Sequence, residues 1–172
     1  MNQIAKFEKI SWEQFLKDAQ GLGWGDSPGQ LKTVYENILL PARKTKGSAG
    51  YDFHSPMAFS LCQQETIIIP TGIRVQIEAG WFLGVLPRSG LGFQFRAQLD
   101  NTMGVIDSDY YHAENQGHIL VKISNDSKRE TKMDISCGGA FAQGIFLPHG
   151  ITIDDEAQGI RYGGFGSTDE KR

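Results

Sequence analysis

ETIIIPTGIRVQIEAGWFLGVLP, residues 65–87, is the stretch that decides the fold class. It holds three runs rich in β-branched and apolar residues, Glu65–Ile69, Gly72–Ile77 and Trp81–Leu86, separated by glycine and proline punctuation. Pro70 and Pro87 fall at run boundaries, where a missing amide hydrogen removes no ladder bond. The pattern returns at His118–Ser124, at Gly139–Leu147 with Pro148 behind it, and at Ile151–Ile153. No helical period is sustained after Pro41. Short runs with turn signals every eight to twelve positions, roughly, predict an all-β domain closed as a barrel or jelly roll.

The first forty residues read differently. Ser11 with Gln14, and Ser27 with Pro28 and Gln30, resemble helix-capping boxes. Behind them Trp12, Phe15, Leu16 and Ala19, then Leu31, Val34, Tyr35 and Ile38, recur at helical spacing until Pro41. Residues 1–40 are therefore expected to form a helical appendage, 41–160 the β domain, and 161–172 a glycine-rich C-terminal arm.

A chain of 172 residues, 40% hydrophobic and 22% charged, suits one globular domain. Seventeen basic and twenty acidic side chains leave a net charge of −3 with no basic block, which argues against direct nucleic-acid or membrane binding. No apolar run approaches the roughly 18 residues of a membrane span, and Met1–Trp12 lacks a signal-peptide core, so a cytoplasmic protein is expected. Cys62 and Cys137 read as ordinary thiols, and the four histidines lack metal-ligand spacing.

Three segments carry chemistry. Pro87-Arg88-Ser89-Gly90-Leu91-Gly92 offers a guanidinium, a hydroxyl and glycine-flanked amides that suit a phosphate, although a surface turn has the same composition. Asn101-Thr102-Met103-Gly104-Val105-Ile106-Asp107-Ser108-Asp109-Tyr110 gathers an amide able to pair with a base edge, a ring able to pack on a sugar and carboxylates able to take a proton from water. A hairpin with Asn and Asp in its turns reads equally well there. Arg161-Tyr162-Gly163-Gly164-Phe165-Gly166-Ser167-Thr168 is too glycine-rich for a stable helix or strand and keeps an isolated Phe, which suits either a lid over a ligand or a plain tail.

Taken in order, these segments resemble the motifs of the trimeric deoxyuridine triphosphate nucleotidohydrolases, the dUTPases. Gly47-Ser48-Ala49-Gly50-Tyr51-Asp52 is similar to the first motif, Pro87-Arg88-Ser89-Gly90 to the second and Asn101 with Gly104–Tyr110 to the third. Phe141-Ala142-Gln143 is similar to the fourth and Gly163–Thr168 to the fifth. The resemblance spans about Leu40 to Thr168. It implies a distorted jelly-roll β-barrel in a homotrimer whose active sites are shared, with the arm closing over them. It further implies that Asp107 activates the water that attacks the α-phosphorus of dUTP. Arg88, Ser89, Gly90 and Gln143 would bind the triphosphate. Asn101, Gly104, Val105, Ile106 and Leu120 would read uracil, and Tyr110 would pack on deoxyribose and exclude a 2′-hydroxyl. Arg161, Phe165, Gly166 and Ser167 would form the lid. Mg2+ would be held by the phosphates and water, with no direct protein ligand and Asp52 touching it only through water.

The chain departs from the family pattern in two places. Residues 111–117 make a longer connection than the family's usual tight turn, and Ala140 stands where a basic residue is usual. Two other uses of the fold remain open at this stage: a regulatory protein partner docking on the appendage or the long loop, and, more distantly, dCTP deamination.

Overall fold

The computed structural model describes residues 2–25, 27–159, 161 and 163. In chain order the elements are β1 (Ala5–Lys9), α1 (Trp12–Gly21), α2 (Pro28–Glu36), β2 (Tyr51–His54), β3 (Phe59–Leu61), β4 (Thr66–Pro70), β5 (Ile73–Ile77) and β6 (Trp81–Pro87). They continue with α3 (Ser89–Phe95), β7 (Ala97–Leu99), β8 (Gly104–Ile106), a 3-10 turn (Ser108–His112), β9 (Leu120–Asn125), β10 (Met133–Ile135) and β11 (Ala140–Pro148). The three runs of residues 65–87 are strands, as their pattern predicts.

Antiparallel sheets in the order β2-β11-β6-β8 and β4-β9-β7 form the body, with the pairs β1-β5 and β10-β3 beside them. Alternation sets the faces. In β5, Ile73, Val75 and Ile77 are buried while Gln76 is exposed, and in β9 Val121, Ile123 and Asn125 point inward while Lys122 points out. Phe53, Leu83, Val85, Ile106 and Phe141 from the first sheet join Ile69, Leu99, Val121 and Ile123 from the second in one apolar core. Mostly β, with short helices, this is the jelly-roll class expected.

Residues 1–40 differ from a purely helical appendage. Both helices form where the capping residues place them: Ser11 Oγ accepts from the Gln14 amide at 3.2 Å, and Ser27 Oγ from the Gln30 amide at 3.3 Å. Ahead of them, however, β1 pairs with β5 along its whole length, from Ala5↔Ile77 to Lys9↔Ile73. The AKFEK run has a single large apolar residue, Phe7, so its pattern is weak; partner strand β5 supplies the order. Phe7 also packs on Tyr51, Phe53 and Phe146 at centroid distances of 5.4, 5.8 and 5.7 Å. Ile10, Phe15, Ala19, Leu31 and Ile38 enter the same core as the sheets. Gly72 makes that approach close: its φ is +71°, and an added Cβ would run into Ile38 Cδ1 and lie 3.3 Å from Phe15.

Two further expectations change. Ile151–Ile153 is not a strand, because those side chains are exposed and no strand pairs with them among the described residues. Ser89–Phe95 is a helix where a turn is expected, ended by Arg96 in the left-handed conformation (φ 49°).

Candidate active site

The chemistry-bearing residues collect at opposite ends of β6. Beyond its C-terminal end, Arg88 caps α3, whose first residues are Ser89 and Gly90. On one side of it β11 places Gln143 opposite Leu86, and on the other side of β11 Gln143 faces Asp52 of β2. Arg88 Nε lies 3.2 Å from Asp52 Oδ1, and Lys44 Nζ lies 3.4 Å from Oδ2. Asp52 is buried, so its charge is offset where it stands. Two cations share one carboxylate, which leaves this end with a surplus of positive charge and free guanidinium donors on the half-exposed Arg88. Gln143 Nε2 donates to the Pro87 carbonyl at 3.4 Å. Gly50 lets that amide in, since a Cβ there would stand 2.7 Å from Gln143 Oε1.

His54 lies opposite Ala140 in the β2–β11 register. Its Nδ1 is buried without a hydrogen-bond partner among the described residues. Burial lowers its pKa, against the pull of Asp52, and favours the neutral ring. The Ser89 hydroxyl, nearby amides and paired cations together make an end suited to an anion.

At the other end of β6, β8 pairs Ile106 with Leu83 and Gly104 with Val85. Asn101 sits in the turn before β8, closed by hydrogen bonds from Thr102 N to Leu99 O (2.8 Å) and from Met103 N to Asn101 O (2.7 Å). A cavity of about 270 Å³ opens there, with Asn101, Gly104, Ile106 and Leu120 in its wall beside Val85 and Ile119. Its walls are mostly apolar and the Asn101 amide is a polar group on its rim, a combination that suits a flat heterocycle with a hydrogen-bonding edge. Val105, between Gly104 and Ile106, exposes its side chain to solvent instead.

Asp107 follows β8, its side chain 45% exposed. Arg161 Nη2 donates to Asp107 Oδ2 at 2.6 Å, and Arg161 Nε to Asp109 Oδ1 at 3.0 Å. Thus the one described side chain of the arm's expected lid set rests on the expected base and its neighbour. Tyr110 is buried within the 3-10 turn; its hydroxyl donates to the His118 carbonyl at 2.9 Å and accepts from Asn115 Nδ2 at 2.8 Å. Burial raises the phenol pKa. The Arg161 guanidinium lies 5.8 Å from the ring centroid. Phe165, Gly166 and Ser167 lie outside the described residues.

Register separates the two groups. Continuing β8 by one residue sets Asp107 level with Phe82, whereas Arg88 is past the far end of β6; at roughly 3.3 Å per residue that is about 20 Å along the strand. Within one chain, the expected base and the expected phosphate ligands do not meet.

No three His, Cys, Asp or Glu side chains gather as a metal site among the described residues. Both Asp52 oxygens are already paired with cations, so a divalent ion here fits as a passenger of a phosphate ligand. No helix among the described residues is long and apolar enough to cross a membrane. Sequence reading missed Lys44, Asp18 and His118, whose partners are set by the fold; the signal that existed was the unusual length of residues 111–117.

A family model described as dUTPase matches residues 36–168 of this chain. The deoxyuridine 5′-triphosphate nucleotidohydrolase of Lactococcus lactis subsp. lactis is 37% identical over 144 residues, covering 81% of this chain and 95% of that protein. The crystal structure of a dUTPase from Streptococcus mutans superposes with a TM-score of 0.62 at 27% identity, over 85% of this chain and 97% of that one. The dUTPase of Staphylococcus bacteriophage 80alpha, solved with dUPNHPP, gives a TM-score of 0.63 over 98% of this chain and 100% of that one; at 20% identity it speaks for the fold alone.

Proposed function

This chain belongs to the dUTPase family, and we propose that it carries out the family's reaction in sites shared between three identical subunits. It hydrolyses dUTP to dUMP and pyrophosphate, which limits uracil in DNA and supplies dUMP for thymidylate synthesis. The observation that carries the shared-site reading is the separation along β6: a water activated at Asp107 and phosphates held at Arg88 belong to one reaction, yet about 20 Å of strand lies between them. A neighbouring copy supplies the missing half.

In this reading uracil enters the cavity beside Asn101, with main-chain groups of Gly104–Ile106 and Leu120 at its polar edge. Tyr110 borders the deoxyribose and leaves no space for a 2′-hydroxyl. Arg88, Ser89, the Gly90 amide and Gln143 of an adjacent copy hold the triphosphate, placing donors where charge develops. Asp107 takes a proton from water as the water oxygen bonds to the α-phosphorus; the bond from that phosphorus to the bridging oxygen breaks, and pyrophosphate leaves with the electron pair. An Asp is already ionised at neutral pH by its reference value near 3.9 and suits this role. Mg2+ bound to the phosphates would neutralise their charge. Arg161 has to leave Asp107, and the incoming phosphates compete for its guanidinium while Phe165, Gly166 and Ser167 close the arm. The cytoplasm, where such a nucleotide pool lies, is the proposed location.

Mixing two inactive variants tests the shared site. Asp107→Asn and Arg88→Ala are each expected to be nearly inactive alone. Denatured together in equal amounts and refolded, they should regain about a quarter of wild-type dUTP turnover, because random assembly gives that fraction of sites an intact Asp107 and an intact Arg88. No recovery in well-formed mixed trimers would place both halves in one chain and end the shared-site reading.

A further inference from the structure

Three contacts tie residues 2–40 to the long connection that follows Tyr110. Tyr111 Oη donates to Glu8 Oε2 at 2.7 Å. Gln116 meets Ser11 twice: its Oε1 accepts from the Ser11 amide at 2.9 Å, and its Nε2 donates to Ser11 Oγ at 3.0 Å. His118 Nδ1 lies 2.6 Å from Asp18 Oδ2 of α1. The first two anchor the loop from outside, while the third runs through the core.

His118 is fully buried, and its Nε2 accepts the Gly72 amide hydrogen at 2.9 Å. Nδ1 therefore carries the ring proton and donates it to Asp18. Burial disfavours the Asp18 charge, but hydrogen bonds from His118 and Gln14 outweigh it and hold the carboxyl below its ordinary range. With both ring nitrogens occupied, the imidazole has one orientation. The same residue holds Tyr110 through its main chain, since the His118 carbonyl accepts from Tyr110 Oη. Tyr110 in turn donates its amide hydrogen to the Asp107 carbonyl at 3.2 Å. Gly117 lets the loop fold back this tightly: its φ is +72°, and a Cβ would stand 2.8 Å from the Tyr110 carbonyl oxygen. An unbroken path of hydrogen bonds thus runs from α1, outside the residues the family model matches, to the segment that bears the base.

We propose that Asp18 and His118 are positioning residues for dUTP hydrolysis: through this pair the N-terminal helix fixes the Tyr110 ring, and with it the enzyme's strictness for deoxyribose. The inference rests on the roles given above to Asp107 and Tyr110. A 2′-hydroxyl is excluded only if the ring stays in place, and a shift of about 1 Å at a reacting site alters rates by up to a hundredfold. Buried networks hold such positions because each member fixes the next.

The test compares kcat/KM for dUTP and UTP in the full-length wild type, Asp18→Ala and Asp18→Asn, with melting temperature and oligomeric state followed alongside. Asp18→Ala should lower the dUTP/UTP ratio about tenfold, and Asp18→Asn, which keeps an oxygen for His118 Nδ1, should restore most of it. Equal losses on both substrates are what a merely loosened fold produces, and they would overturn the proposal, as would an unchanged ratio. If Asp18→Ala does not fold, Gln116→Ala removes a half-buried tie in the same loop and should lower the ratio about threefold; no change in that ratio overturns it equally. Wild-type turnover of dUTP separates the two readings. Without it the proposed function fails and takes this inference with it, whereas turnover with an insensitive ratio sinks the positioning pair alone.

Discussion

The two ends of β6 are built on different principles. At the Arg88 end every chemically active side chain is set by sheet register: Asp52, Gln143 and Leu86 are neighbours because β2, β11 and β6 lie side by side. At the Asp107 end the sheet supplies only Gly104–Ile106, and the rest is a turn and a long loop held from outside by β1 and α1. A sheet fixes its own side chains, but a loop needs something to lean on. The lesson is that the anion-holding half is portable with the barrel, whereas the half that reads base and sugar depends on the N-terminal segment.

The largest expected effect lies at the loop end. Asp107→Asn should lower dUTP turnover by at least about a thousandfold, near the upper range of a general base, while a non-hydrolysable dUTP analogue still binds in calorimetry. Normal turnover by that variant would remove Asp107 from its role and leave the contrast without its catalytic half. A lesser effect belongs to the sheet end. Gln143→Ala should raise the KM for dUTP roughly tenfold, as the loss of a hydrogen bond to a charged group does, with little change in melting temperature because register and not this amide holds the strands. A large fall in stability instead would mean that Gln143 supports the sheet, and the two ends would then differ less than they seem.

How far each end could be read from sequence follows the same division. Residues 65–87 show their strands because a period of two is a local signal, and Ser11 and Ser27 announce their helices by equally local capping. β1 is hidden because Phe7 is the sole large apolar side chain in AKFEK, and its order comes from β5 some seventy positions away. Ile151–Ile153 misleads in the opposite sense: β-branched residues without a partner strand remain an exposed turn. Gly90 and Gly92 disfavour a helix, so Ser89–Phe95 reads as a loop until the chain reversal between β6 and β7 shapes it. At the site, motif residues such as Asn101, Gly104, Ile106 and Leu120 could be named from their pattern, and the fold gathers them around one cavity. Asp18 and His118 could not, because a contact across a hundred residues leaves no periodicity to detect.

The smallest effect probes the outer tie of the brace. Hydrogen bonds from Lys6 and from the Tyr111 hydroxyl, helped by the nearby Arg74, hold the Glu8 carboxyl at about 2, well below its ordinary 4.5. Its pKa is lower folded than unfolded, so the stabilisation is complete above about pH 4.5 and disappears as the pH falls toward 2. Because Glu8 is largely exposed, solvent screening keeps the gain small. Glu8→Gln should therefore melt only about 2 °C below wild type at pH 7, and less than half of that difference should remain at pH 3. Melting curves of the two proteins across this range check the sign as well as the size. A difference that grows on acidification would mean that Glu8 is held by something other than its charge, and that β1 grips the loop more firmly than a surface ion pair can.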